Sequence, residues 1–262
     1  MSSTVPAGSA TVPAGSELAL RVRGWHHARQ AAVCDLVTPW EHGTVMRATR
    51  HPRYHDFNVV RVEDDPSLSV AALAAFADGA LAGLAHRRVD FDLITAAEPL
   101  RADFAAAGWR SMRLLWMRYA GALPAPAPTA VEAVPYDAVH DLRIAWQREN
   151  SLELDTRFLA DARAIALRAG VRVLALLEGG TPVAFAELTC AAEAAEITHV
   201  YVHPSYRGSG RGGELTRAAI AAAGDVRDLW ICADDEGRPK QLYARLGFRP
   251  VWIAMEYQRV LG

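Results

Sequence analysis

The chain has 262 residues, 51% of them hydrophobic, with a formal net charge of -2 and a mean hydropathy close to zero. That is material for one large or two ordinary soluble domains, and so even a charge balance points to neither a nucleic-acid nor a membrane partner. The N-terminus has no basic segment followed by an apolar run and no stretch reaches membrane-spanning length, so the expected location is cytoplasmic. Cys34, Cys190 and Cys232 are far apart with no C-x-x-C spacing, which reads as small buried apolar residues in a reducing compartment.

Residues 1–17 carry Thr-Val-Pro-Ala-Gly-Ser twice and little to bury, so they are expected to form a disordered arm. Residues 18–120 look globular. The part up to Arg53 has no clear periodicity. Its histidines (His26, His27, His42, His51, His55) lack the acidic or thiol partners of a metal set, so no metal is expected and they read as scattered solvated side chains. Beyond it, 56–62 reads as a strand and 66–82 as a helix with Ser67 as its cap. Residues 87–93 read as a strand, 99–107 as a helix and 112–119 as a strand. Residues 121–135, with Leu123-Pro-Ala-Pro-Ala-Pro128, read as a semi-stiff linker and a domain boundary. From 136 to 262 the pattern is two helices (137–147, 155–169), an antiparallel hairpin (171–177, 182–189) and a strand at 194–202. A glycine loop, a helix at 214–223, a strand at 227–233, a helix at 238–245 and a strand at 251–257 follow. A leading strand is expected near 129–133.

The stretch Val200-Tyr-Val-His-Pro-Ser-Tyr-Arg-Gly-Ser-Gly-Arg-Gly-Gly-Glu-Leu215 passes from an alternating strand through a glycine loop into a helix. A loop poor in side chains at the positive end of a helix suits a phosphate group, with Arg207 and Arg211 beside it to neutralise charge. Gly208, Gly210 and Gly213 also satisfy the dinucleotide pattern G-x-G-x-x-G, but that fingerprint belongs after the first strand of a parallel sheet, not after a hairpin.

Arg207-x-x-Gly210-x-Gly212 after a Val-x-Val-x-Pro strand end, followed by Gln241-Leu-Tyr-Ala-Arg-Leu-Gly-Phe248, resembles the GCN5-related N-acetyltransferase (GNAT) superfamily over about residues 131–260. The resemblance implies an acyl-CoA site in which Arg207, Gly208, Ser209, Gly210, Arg211, Gly212 and Gly213 hold the pyrophosphate. It also implies that the backbone of Val200, Tyr201 and Val202 pairs with the pantetheine arm and polarises the thioester. Tyr243 is then the proton donor to the departing thiolate, and Glu196, on the strand before the loop, is the candidate base, with His199 and Glu187 as rivals. Glu236 and Pro239 depart from the family pattern and put a further CoA contact in doubt.

The first half repeats the second in outline. Val60-Arg-Val62 matches Val200-Tyr-Val202, and Phe104-Ala-Ala-Ala-Gly-Trp109 aligns with Tyr243-Ala-Arg-Leu-Gly-Phe248. Where the second half has its glycine loop, the first has Glu63-Asp-Asp-Pro-Ser-Leu-Ser69, which would repel a pyrophosphate. The expected architecture is therefore α/β (α+β): two GNAT-like domains, each a mixed, mostly antiparallel sheet flanked by helices. The first copy (18–120) is degenerate, and it covers a sheet edge, shapes the acceptor pocket, forms a dimer surface or serves only as a structural buttress. The function expected from the resemblance is direct transfer of an acetyl or other acyl group from acetyl-CoA to a small-molecule or peptide amine. The alternative is a non-catalytic acyl-CoA-binding sensor.

Overall fold

The structure, a computed structural model, describes residues 15–124, 130–150 and 155–261. Most of the expected arm and the proline run at 125–129 lie outside the described residues. Ser16 and Glu17, assigned by sequence to the arm, are instead the cap and first turn of a helix, α1 (Glu17–Ala31). The Ser16 hydroxyl takes the N–H of Ala19, one of the four donors a helix start leaves free. The unassigned region continues as a hairpin, β1 (Leu36–Trp40) and β2 (Gly43–Arg47). Then come β3 (Val59–Val62), α2 (Val70–Ala80), β4 (His86–Phe91), α3 (Ile94–Ala97), α4 (Arg101–Ala106) and β5 (Arg110–Tyr119). The cap of α2 is Ser69 and not Ser67: Asp65 takes the Ser67 N–H in a local turn, and that holds the helix start back.

The second half runs β6 (Val131–Val134), α5 (His140–Asn150), α6 (Thr156–Arg168), β7 (Arg172–Glu178), β8 (Thr181–Ala191) and β9 (Ala194–Val202). It ends with α7 (Arg211–Ala223), β10 (Asp228–Asp234), α8 (Pro239–Leu246) and β11 (Phe248–Val260). The leading strand expected near 129–133 thus falls inside the expected linker: between Pro128 and Pro135, residues 131–134 keep every N–H a ladder needs, and they pair with β7.

In place of two separate sheets there is one of eleven strands, ordered β1-β2-β3-β4-β11-β5-β10-β9-β8-β7-β6. β3 and β4 run parallel, as do β9 and β10; every other neighbouring pair is antiparallel. The final strand of each half has crossed over. β5 lies against β10, with Cys232 opposite Trp116, and β11 lies against β4, with Tyr257 opposite Val89. Met255 and Tyr257 consequently sit in the core of the first half among Val89, Phe91 and Phe104. The Tyr257 ring stacks on Phe104 with 3.9 Å between centroids, and its hydroxyl donates to the Ala97 carbonyl at 2.8 Å.

One face of the sheet carries α2, α3 and α4 over the first half and α7 and α8 over the second. The other face carries α1, whose Ala19 and Val22 pack on Trp116, Trp230 and Trp252, and α5, whose Leu142 packs on Phe185 and Tyr201. The histidines are half-buried and partnered: His27 with Asp92, His51 with Asp161 at 2.9 Å, His55 stacked on His86. Cys190 is exposed, contrary to the reading of all three cysteines as buried.

A shared sheet of this kind has no seam along which one half can melt alone. Tyr257→Ala, a change in the last strand of the chain, is expected to cost about 3–5 kcal/mol by emptying the core of the first half. Thermal unfolding of the variant should still be a single transition at lower temperature. Two resolved transitions, with only one displaced, would contradict the exchange of strands.

Candidate active site

The parallel ladder between β9 and β10 runs from Ala194↔Asp228 to Ile197↔Ile231 and stops. Past that point β9 pairs only with β8, and β10 only with β5. The cause is local. The β8–β9 register slips between Phe185 and Glu187, and His199 takes a left-handed φ of 50°. One extra residue on a strand bends it away from its neighbour, so the C-terminal ends of β9 and β10 diverge as a V. The equivalent parallel pair in the first half stays closed: Val62 pairs with Phe91, and the next N–H, of Asp92, still donates to the Val62 carbonyl at 2.9 Å.

At the mouth of the V the chain makes a short turn at Pro204–Tyr206 and enters α7 at Arg211, three residues earlier than the sequence suggests. Gly210 caps the helix at φ 83°, and Gly208 has φ 84°. A Cβ at either position would meet nothing within 4 Å, so these glycines answer to backbone angle and not to crowding. The N–H groups of Gly208 through Gly212 have no acceptor among the described residues, and the positive end of the α7 dipole lies among them. Arg207 donates to the Val202 carbonyl at 2.9 Å and pairs with Glu149 at 2.7 Å. Arg211 pairs with Glu178 and donates to the Ser209 hydroxyl. Both arginines that sequence assigned to an anion therefore have internal carboxylate partners as well.

Tyr243, on α8, is 5% exposed and belongs to the core that holds Ile231 and Phe248. Burial pushes its phenol well above the ordinary value, and the neighbouring Cys232 adds to this; the hydroxyl has no hydrogen-bond partner among the described residues. Glu196, one pair before the V opens, is 4% exposed. Its Oε2 accepts from Trp25 Nε1 at 2.8 Å and from Arg29 Nη1, both on α1. Glu187 is engaged on both oxygens, by Arg143 at 2.5 Å and by His199 Nδ1 at 3.1 Å. Burial alone would raise its carboxyl; the His199 and Arg143 charges outweigh that and hold it at about 2. His199 is subject to the opposite balance, burial lowering it and Glu187 prevailing to raise it. Tyr201 donates to Glu149 at 2.9 Å, and its phenol is pushed up to about 12 by burial and that carboxylate. Glu236 is taken up by a two-pronged pair with Arg101 at 2.7 and 2.9 Å, and Pro239 occupies the first turn of α8, where a missing N–H costs nothing.

Beside this group, α5 and α6 enclose a cleft of about 270 Å³ lined by Tyr136, His140, Arg143, Ile144, Leu159 and Ala160. Arg143 is part of its lining, its guanidinium 3.7 Å from the Tyr136 ring centroid, with Nε and Nη2 unpartnered among the described residues. Sequence reasoning missed Trp25, Arg29, Arg143 and Glu149. The only signal was the four-residue spacing of Trp25 and Arg29, which places them on one helix face in a segment not recognised as a helix.

Among the described residues no helix is long and apolar enough to cross a membrane. The acetyltransferase (GNAT) domain model matches residues 169–250; no curated protein matches the chain. Among solved structures, a functionally unknown conserved protein from Staphylococcus epidermidis is 12% identical, with a TM-score of 0.67 over 87% of this chain and 95% of that one. A GCN5-related N-acetyltransferase from Kribbella flavida is 17% identical, with a TM-score of 0.59 over 92% of this chain and 95% of that one. One from Sphaerobacter thermophilus is 17% identical, with a TM-score of 0.50 over 77% and 73%. At such identities these likenesses speak to fold alone, and the domain match covers the segment that holds the V and the glycine loop. Residues 169–250 therefore match the GNAT acetyltransferase domain model, and the chain as a whole has a GNAT-like fold, a mixed sheet flanked by helices.

Proposed function

We propose that the protein transfers an acetyl or other small acyl group from acyl-CoA directly to an amine. The observation that carries this reading is the V between β9 and β10 with free N–H groups of residues 208–212 at its mouth. A strand edge with unpaired backbone groups suits the amides of a pantetheine arm, and a cluster of amide donors at a helix start suits the diphosphate. In this reading Val200, Tyr201 and Val202 line the arm, and residues 207–213 hold the phosphates, with Arg207 and Arg211 exchanging carboxylate partners for phosphate oxygens.

The amine nitrogen attacks the thioester carbon, the C–S bond breaks, the thiolate takes a proton from the Tyr243 hydroxyl, and the second N–H proton, lost as the amide forms, passes through solvent to restore the phenol. A buried phenol with a raised pKa is fully protonated before that step, as a donor must be. The attacking amine arrives as an ammonium and must first lose a proton. Among the three candidates Glu196 fits best, because its Oε1 has no partner among the described residues. Glu187 has both oxygens engaged and a low pKa, and His199 has its pKa raised toward the already protonated form. The cleft between α5 and α6 is the candidate entrance for the acceptor. Residues 18–120 are read as a degenerate GNAT-like copy. The strand orders β1-β2-β3-β4-β11 and β7-β8-β9-β10-β5 support this, each with one parallel step followed by an antiparallel strand lent by the other half.

Three outcomes check the reading. Gly210→Glu forces a side chain into a left-handed position and sets a carboxylate among the amides, so calorimetry should detect no acetyl-CoA binding. Tyr243→Phe should lower turnover by about 100-fold or more while acetyl-CoA affinity stays within about two-fold; unchanged turnover would remove Tyr243 from its role. Binding with no thiol release across a broad amine panel would favour a sensor. A separate prediction concerns the pair between Glu187 and His199. The depressed Glu187 carboxyl contributes stability above its unfolded value, lost only as pH falls toward about 2. The raised imidazole of His199 contributes below 6.5, lost as pH climbs past its folded value. The melting-temperature deficit of His199→Gln should therefore be largest at about pH 5–6 and shrink toward pH 9; a deficit that grows with pH would contradict the pairing.

A further inference from the structure

We propose that Trp25 and Arg29 of α1 are positioning residues for Glu196, so that the N-terminal segment completes the active site of the C-terminal half. The inference rests on the transferase reading above and adds to it the origin of the groups that orient the base. Glu196 faces away from the core under α7, to which its neighbours Ala195 and Ile197 belong, and toward α1. Both α1 donors fall on the same oxygen. Trp25 Nε1 and Arg29 Nη1 converge on Oε2, which leaves Oε1 without a partner among the described residues. Two donors on one oxygen fix the plane of a carboxylate as well as its position, and they leave the other oxygen as the one able to take a proton.

The clamp is itself held. Arg21, one turn before Trp25, makes a two-pronged pair with Asp228 at the start of β10, at 2.8 and 3.2 Å, and Arg118 of β5 shares the same carboxylate at 2.7 Å. One residue after Arg29, Gln30 donates to the Asp56 carbonyl at 2.8 Å and accepts from Arg61. Ala19 and Val22 are fully buried against the central tryptophans. α1 is therefore pinned to β10 before the clamp and to β3 after it. Its two donors reach Glu196 from a frame that spans both halves, which a flexible surface pair would not provide.

In the step this serves, an N–H bond of the acceptor ammonium breaks, its proton bonds to Oε1, and the electron pair stays on nitrogen for attack on the thioester carbon. Oε2 keeps its two donors throughout, and the proton later passes to solvent. A bystander role is the competing account: a buried carboxylate needs a partner, and a buried pair is weak evidence for anything more.

The test uses the full chain with Arg29→Met, Arg29→Lys, Trp25→Phe and Glu196→Gln. Acetyl-CoA affinity is measured by calorimetry, and thiol release is followed with an amino acid, a polyamine, an arylalkylamine, an aminoglycoside and a peptide N-terminus as acceptors. Expected are a fall in kcat of about 10- to 100-fold for Arg29→Met, acetyl-CoA affinity within about two-fold of the parent, and recovery of most of the rate by Arg29→Lys. Trp25→Phe, which keeps the bulk and removes one donor, should give a smaller fall. Arg29→Met should add nothing in the Glu196→Gln background. Parent turnover that survives Arg29→Met, while Glu196→Gln is markedly slowed, overturns the positioning role and leaves the transferase reading standing. Additive losses in the double variant also overturn it. A parent chain that binds acetyl-CoA and turns over none of the five amines overturns the transferase reading, and this proposal with it.

Discussion

The site depends on one backbone irregularity. At His199 the chain adopts a left-handed angle that a residue with a Cβ avoids, at a cost of about 1–3 kcal/mol. The slip in register beside it means that β9 cannot follow β10 beyond Ile197. The unpaired strand edges, the turn at Pro204, the glycine angles and the bare start of α7 all come after this point. The parallel pair β3–β4 lacks the irregularity and stays hydrogen-bonded to its end. The same strand order therefore gives an open cleft in one half and a closed sheet in the other.

The exchange of β5 and β11 bears on how stiff that cleft is. Each flank of the V is backed by a strand that pairs on its far side: β8 behind β9, and β5 behind β10. Because β5 comes from the first half, the wall carrying Cys232–Asp234 is supported by residues more than a hundred positions earlier in the chain. α1 extends the same dependence across the face of the sheet, through Arg21 at Asp228 and through Trp25 and Arg29 at Glu196. On the proposed reading, a site held from both halves resists the small displacements to which proton transfer and thioester alignment are sensitive.

The sequence made the second half legible because its signals are local. The Gly179-Gly180 turn marks the β7–β8 hairpin, glycines at 208 and 210 mark positive φ, and Gly247 ends α8 at φ 108°. Alternation along 194–202 gave β9 its bounds to the residue. The first helix stayed hidden because its polar and apolar residues do not segregate: Trp25, Arg29 and Gln30 point polar atoms at buried partners, so no apolar stripe forms. The crossing of β5 and β11 was out of reach for another reason. Strand pattern specifies which face a residue takes, and not which neighbour it pairs with. The matching aromatic-rich ends of the two halves were visible, but not that each serves the other. Likewise Glu196 was placed on its strand from the sequence, while the donors that fix its orientation lie some 170 positions away in the chain.

The central claim, that the V between β9 and β10 is where acyl-CoA lies, is tested most directly by amide hydrogen exchange of the full chain with and without acetyl-CoA. The account predicts new protection concentrated at 198–202 and 208–213, with the equivalent β3–β4 segment, 60–69, unchanged. Protection that appears at 60–69 instead, or none at the glycine loop under saturating acetyl-CoA, would contradict it.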